Sequence, residues 1–259
     1  MSRSRPGTES MVDQHRGYTA ESTQRSGFAA APTDDVSAAL QVSRASKALA
    51  YGGLTDFVWG HVSVRDPQGR GFWMKASGLG FDEIEPDQVH LVGWNGDVIA
   101  GTGPRHIEWF IHAGVYEARL DVGSVAHAHS DNVNAWCATG EPMRALSHAG
   151  IEFTRQQLPR FTETASLIRN RALGQQLAAT LGDSIGVLIP QHGFVMTGDD
   201  VAASVMRSVL LERATCVLLQ ALTAGGIESA MSDDDLAVQG WPQSQIHAGF
   251  DYLVRQSSL

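Results

Sequence analysis

Residues 105–132, RHIEWFIHAGVYEARLDVGSVAHAHSDN, place a helical pattern, a break and a strand pattern in direct succession. Ile107, Phe110, Ile111 and Val115 recur at helical spacing, Asp121–Gly123 interrupts them, and VAHAH at 125–129 alternates as a strand does. Side chains two apart on a strand share a face, so His127 and His129 project in parallel. Two parallel imidazoles suit one cation, and the same alternation also describes polar residues on a solvated face. Glu108 lies in the preceding helix between Ile107 and Trp109. It faces either solvent or the interior; in the interior, desolvation would raise its pKa toward a value useful in proton transfer. Further along, IPQHGFVM puts His192 at a turn between two apolar strands, with Gly193 free to take unusual dihedrals. His192 reads either as a turn residue or as a third ligand.

Upstream, a helix begins at Asp34 and carries Val36, Leu40, Ala45, Ala48 and Leu49 to a stop at Gly52-Gly53. WGHVSVRD and GFWMKAS form a strand pair about a turn at Asp66–Gly69. VHLVGWNGDVIAG is a hairpin whose Asn95-Gly96 predicts a type I′ turn. Downstream, helical patterns cover 131–138 and 165–181, and a long helix runs from about 199 to 224, entered through Asp199-Asp200 and closed by Gly225-Gly226. Hairpins without regular βαβ alternation indicate an α/β fold with a mixed, largely antiparallel sheet and helices on its faces. Residues 1–33 are polar and aperiodic, a flexible extension, and 34–259 form one domain.

Composition narrows the class. The chain of 259 residues is 43% hydrophobic and 18% charged, with net charge −9. No basic block stands out, so nucleic acid is not an expected partner. No apolar run is long enough to span a bilayer. Cys137 and Cys216 supply no disulfide framework, the N-terminus has no secretory core, and Glu9, Asp13 and Glu21 argue against a transit peptide. A cytoplasmic protein acting on a small molecule is expected.

The succession GHVSVRD, KASGLGF, GPRHIEWFIHAGVYEARLDVGSVAHAH and IPQHGFVM, within residues 36–225, resembles the class II aldolase/adducin family in order and spacing. The resemblance implies a three-layer α/β/α fold around a mixed, mostly antiparallel sheet, and a homotetramer with sites near subunit interfaces. It also implies one divalent transition metal per subunit (iron, zinc or manganese) on His127, His129 and His192, with Glu108 as catalytic acid/base.

Sugar-phosphate aldolases of that family hold phosphate with a Gly-Asn, a Ser/Thr-Gly and a Ser-Ser. The corresponding positions here are Gly60-His61, Ser77-Gly78 and His106-Ile107, and only the middle pair is kept. A phosphorylated sugar is therefore not expected. Trp109, Phe110, Trp136, Phe153 and Phe161 cluster in sequence around the ligands. Singly each reads as core, whereas together they suit an aromatic substrate. Arg105, His106 and His148, with Ser77 and Gly78, are the candidate substrate contacts, meeting a carboxylate or phenolic oxygen.

The stretch from Pro104 to Gly123 looks closest to metal-dependent decarboxylases of aromatic hydroxy acids. It looks equally close to the non-haem iron oxygenase of aminocoumarin antibiotic biosynthesis, which acts on a 4-hydroxy-3-prenylphenylpyruvate. The leading expectation is a lyase decarboxylating a non-phosphorylated aromatic 2-oxo or hydroxy acid. The alternatives are that oxygenase and a non-catalytic adducin-like interaction domain.

Overall fold

The computed structural model describes residues 27–258, so most of the extension expected over 1–33 lies outside the described residues. Packing begins before Asp34: Ala29 is fully buried and the Arg44 guanidinium lies 4.7 Å over the Phe28 ring. Helix α1 (Asp35–Tyr51) starts at a capping box, the Asp34 carboxylate accepting from the Ser37 amide at 2.8 Å. Its buried face is Ala38, Val42, Ala45, Ala48 and Leu49, the stripe that the sequence spacing predicts.

Strands β1 (His61–Arg65), β2 (Gly71–Lys75), β3 (Val89–Gly93) and β4 (Val98–Ala100) follow as a meander. Helix α2 (Trp109–Ala118), β5 (Ser124–Ala128), α3 (Asp131–Thr139), α4 (Ile151–Arg155) and α5 (Arg171–Leu181) come next. Strands β6 (Gly186–Ile189) and β7 (Gly193–Gly198) precede α6 (Val201–Thr223), α7 (Asp233–Val238) and α8 (Gln243–Gln256). The strand order is β4-β3-β2-β1-β5-β7-β6, and every pairing of named strands is antiparallel. The single parallel contact among the described residues is the isolated bridge Arg160–Leu188.

Two cores flank this sheet, as alternating strand side chains require. Val62, Val64, Trp73 and Leu91 join α1, α6 and α8 on one face. Phe72, Met74, Val92 and Val125 join α2 and α5 on the other. The result is three layers, helix–sheet–helix. Each large side chain so buried contributes about 1.5–3 kcal/mol of transfer free energy.

Three local expectations change. At Asn95-Gly96 only Gly96 has positive φ (89°), and the Gly96 amide donates to Gly93 O at 2.8 Å. The loop is a tight turn followed by a left-handed glycine, a three-residue hairpin rather than type I′. Helix α5 starts at Arg171, not 165, because the Ile168 amide is drawn off to the Glu108 carboxylate and Asn170 caps the helix. Helix α2 starts at Trp109, so Ile107 leaves the apolar stripe and is 54% exposed.

No helix of the described residues is long and apolar enough to cross a membrane.

Candidate active site

Glu108, His127, His129 and His192 converge, their ligand atoms all within 4.8 Å of one another. Strand β5 brings in His127 and ends one residue before His129. The turn between β6 and β7 brings in His192, and the N-terminal cap of α2 brings in Glu108.

Two of the three rings are aimed by a partner on their far side. His127 Nδ1–H donates to Phe194 O at 2.9 Å, and His129 Nδ1–H donates to Asp56 Oδ2 at 2.6 Å. Both Nε2 atoms are therefore left as lone pairs, yet they face each other across 3.1 Å with no proton to share. Both nitrogens of His192 are buried without a hydrogen-bond partner. Two nitrogens each about 2.1 Å from one ion lie about 3.0–3.4 Å apart at tetrahedral or octahedral angles. Three converging lone pairs beside a carboxylate fit a divalent cation, and Asp56 behind His129 is the outer carboxylate such a ligand uses.

Glu108 faces inward and is 5% exposed. Its Oε1 accepts from the Ile168 amide at 2.7 Å, and its Oε2 lies 3.8 Å from His127 Nε2 and 3.7 Å from His192 Nε2. The pKa expected to rise on burial instead falls to about 2. Burial does push it up, but His192, His127 and the Ile168 amide outweigh that. Glu108 is held as a carboxylate, able to accept a proton. Burial pushes His127 well below the usual imidazole range, which keeps it neutral as a ligand must be.

The turn carrying His192 has Pro190 second and left-handed Gln191 (φ 67°) third, the pattern of a type II turn, closed by the His192 amide on Ile189 O at 3.0 Å. Gly193, expected to supply unusual dihedrals, lies outside the left-handed region. It is needed for space instead, since a Cβ there would sit 2.4 Å from Ala128 O and 2.9 Å from His129 Cδ2. Glu212 of α6 accepts from Ser130 and from Asn132 Nδ2 (2.6 Å), fixing the start of α3 just after His129.

A cavity of about 780 Å³ opens beside the cluster. Ser77, Gly78, Arg105 and His106 line it, together with His61, Val58, Trp59, Ile107 and Leu167. The Arg105 guanidinium stands 4.9 Å over the Trp109 ring, and its Nη1 is buried without a partner. His106 Nε2–H donates to Ala76 O at 3.1 Å, and burial pushes its pKa down to about 3.

His148 does not reach the cavity; it lies in a short 3-10 turn with its ring 6.3 Å from that of Trp241. Trp109, Phe110, Trp136, Phe153 and Phe161 do not line it either, and four of them are core residues at 4% exposure or less. The apolar wall comes from Val58, Trp59, Ile107 and Leu167. Asp56 carries no motif in the sequence, because it reaches the site from a loop that periodicity does not describe, and Trp59, read as the start of a strand, stands two residues before β1.

The family model for the Class II Aldolase and Adducin N-terminal domain matches residues 40–219, and the chain belongs to this family. An L-ribulose-5-phosphate 4-epimerase of Salmonella paratyphi B is 28% identical over 204 residues, covering 75% of this chain and 88% of that protein. Among solved structures, an L-fuculose 1-phosphate aldolase from Glaciozyma antarctica superposes with a TM-score of 0.74 at 21% identity, covering 85% and 88% of the two chains. An aldolase II superfamily protein from Pseudomonas syringae gives 0.75 at 21% identity, covering 88% and 94%. The first of these proteins is named an epimerase and the second a sugar-phosphate aldolase.

Proposed function

We propose that this protein is a metal-dependent carbon–carbon lyase that decarboxylates a non-phosphorylated aromatic 2-oxo or hydroxy acid. One observation carries the reading: Arg105 is the only Arg or Lys among the described residues of the cavity wall, which Trp59, Ile107 and Leu167 also line. One guanidinium and an apolar wall suit a single carboxylate on an apolar body. At two of the three positions where a sugar-phosphate enzyme would place small polar groups stand His61 and the pair His106-Ile107, and the His106 Nε2–H is committed to Ala76.

A cation on His127, His129 and His192 supplies Lewis-acid stabilisation of negative charge developing on the substrate. Arg105 holds the anionic end, and the apolar wall excludes water from the aromatic body. Loss of carbon dioxide leaves the bonding pair on carbon, and a proton must then be added there. Glu108 Oε2, with Oε1 fixed by the Ile168 amide, starts as a carboxylate and is the atom placed to take a proton from a substrate hydroxyl or from water and pass it to that carbon.

The relatives' names favour a second reading, a sugar-phosphate epimerase or aldolase, supported by the retained Ser77-Gly78. The iron oxygenase would use the same side chains with dioxygen. A non-catalytic adducin-like role leaves four converging side chains without a use. The proposal includes a homotetramer, which light scattering reads directly.

The test is anaerobic turnover of aromatic 2-oxo and hydroxy acids beside ribulose and fuculose phosphates, on protein loaded separately with zinc, manganese and iron(II). Carbon dioxide release without dioxygen is expected, and Glu108→Gln should lose about 10²–10⁴-fold in kcat while retaining metal. Turnover confined to the sugar phosphates, or strictly dependent on dioxygen, would replace the proposal with the corresponding alternative.

A further inference from the structure

Beside the metal cluster a second buried run of polar side chains leads away from the cavity, and the lyase reading leaves it unused. His61 lines the cavity from β1, its ring centroid 4.9 Å from that of His127 and 4.7 Å from that of His106. Its Nδ1 is 2.7 Å from His112 Nε2, His112 Nδ1 is 2.6 Å from Ser63 Oγ, and Ser63 Oγ is 2.9 Å from the Tyr116 hydroxyl. All four residues are at most 1% exposed. A neutral imidazole has one N–H and one lone pair, so the chain has two continuous polarities; a Ser63 Oγ that accepted from both His112 and Tyr116 would leave its own O–H without an acceptor among the described residues, and is disfavoured on that ground. With the donors running from Tyr116 toward His61, His61 carries its N–H on Nε2. With the reverse polarity, Nε2 is bare and the Tyr116 O–H must find another acceptor.

The tyrosine end decides between them. Among the described residues Ser63 Oγ is the acceptor hydrogen-bonded to this phenol, and a buried O–H aimed at nothing is disfavoured about tenfold or more. Burial also pushes the phenol pKa up, so the proton stays on the oxygen. Tyr116 therefore donates to Ser63, Ser63 to His112 Nδ1, and His112 Nε2–H to His61 Nδ1. The nitrogen of His61 left for the cavity carries a proton. His106 has the opposite polarity: its Nε2–H is spent on Ala76 O, so its other nitrogen is an acceptor.

We infer that His61 is a substrate-contacting, specificity-determining residue that presents a fixed neutral N–H donor to a substrate oxygen bearing no proton. His112, Ser63 and Tyr116 are positioning residues that set its tautomer. With the acceptor on His106 alongside, the pair selects a carboxylate or keto oxygen next to a hydroxyl, as in an ortho-hydroxy aromatic acid. This assignment of substrate class rests on the aromatic-acid reading above.

Zinc-loaded protein carrying ¹⁵N-histidine tests the tautomer by NMR: His61 should show a protonated Nε2 and a bare Nδ1, and Tyr116→Phe should shift it toward a mixture. Salicylate is the binding probe, followed by calorimetry with zinc content measured in parallel. His61→Ala should weaken it about 10- to 100-fold, the cost of a hydrogen bond to a charged acceptor, at unchanged zinc. His61→Gln, whose amide N–H falls near the Nε2 position, should restore most of that. A bare Nε2 in the wild type overturns the inference, as does equal salicylate affinity in wild type and His61→Ala, no binding by either included. Protein with the expected tautomer and salicylate binding but no carbon dioxide release refutes the lyase reading alone.

Discussion

Asp56 shows how a single carboxylate outside any motif bears on a candidate metal ligand. It accepts the Nδ1–H of His129 at 2.6 Å, which both turns the ring and fixes the lone pair on Nε2. Asp56→Asn keeps the size but replaces an anionic acceptor with a neutral one, and its amide can present a donor to a nitrogen that must itself donate. Zinc affinity, measured by competition with a chromogenic chelator, should fall about 10–100-fold. Unchanged affinity would mean that the Asp56 contact does not orient the ligand. Asp56 is illegible in the sequence for a physical reason: it meets a histidine 73 positions away, in a loop with no hydrophobic period. His127 and His129 are legible because strand periodicity alone puts them on one face. His148 misleads because a histidine in a loop has no period to say which way it turns.

Among the elements, the β1–β2 hairpin has its own electrostatic lock. The Asp66 carboxylate accepts from the Gln68 and Arg70 amides, from the Arg70 guanidinium at 2.7 Å and from Trp73 Nε1 at 2.9 Å. Burial alone would push its pKa up, but Arg70 and Trp73 outweigh that and draw it from the usual 3.8 to about 2. A depressed folded pKa means that the stabilisation is complete above the unfolded value and is lost as pH falls toward the folded one. The difference in urea midpoint between wild type and Asp66→Asn should therefore be constant above about pH 5 and shrink between about pH 4 and pH 2. A difference that held or grew on acidification would remove this carboxylate as its source. The Asp-Pro-Gln-Gly turn is readable from its residues, since each has a local role. The start of α5 is not, because the Ile168 amide that spoils it is claimed by Glu108, 60 residues earlier. Likewise Trp136, Phe153 and Phe161 adjoin the ligands in sequence yet point into the core, because adjacency along a chain does not fix the layer into which a side chain turns.

For the whole molecule, the candidate ligands come from the cap of α2, the end of β5 and the β6–β7 turn, so one ion would tie together elements spread over residues 108–192. That arrangement exists only in the folded chain, so binding is linked to folding. Zinc at about 100 times its Kd should raise stability by about 2.7 kcal/mol, and chelation should remove that gain. Differential scanning calorimetry with and without EDTA, on wild type and His127→Ala, reads it; a wild-type Tm indifferent to zinc would speak against the cluster as a metal site. The antiparallel sheet and its two helical layers were readable from hairpin signals and helix stripes because these repeat over many residues. The cavity wall was not, because it is assembled from short pieces of seven separate segments.

The register of β1 on β5 sets His61 opposite His127 on the same face of neighbouring strands. A slip of one residue in that pairing would turn one of the two rings through the sheet. The distance between the ion and whatever occupies position 61 is thus fixed by backbone pairing, not by loop length. New preferences can be explored by exchanging the side chain at that one site, with the ion's seat left as it is. For a laboratory seeking a different substrate for this scaffold, position 61 is where a library should begin.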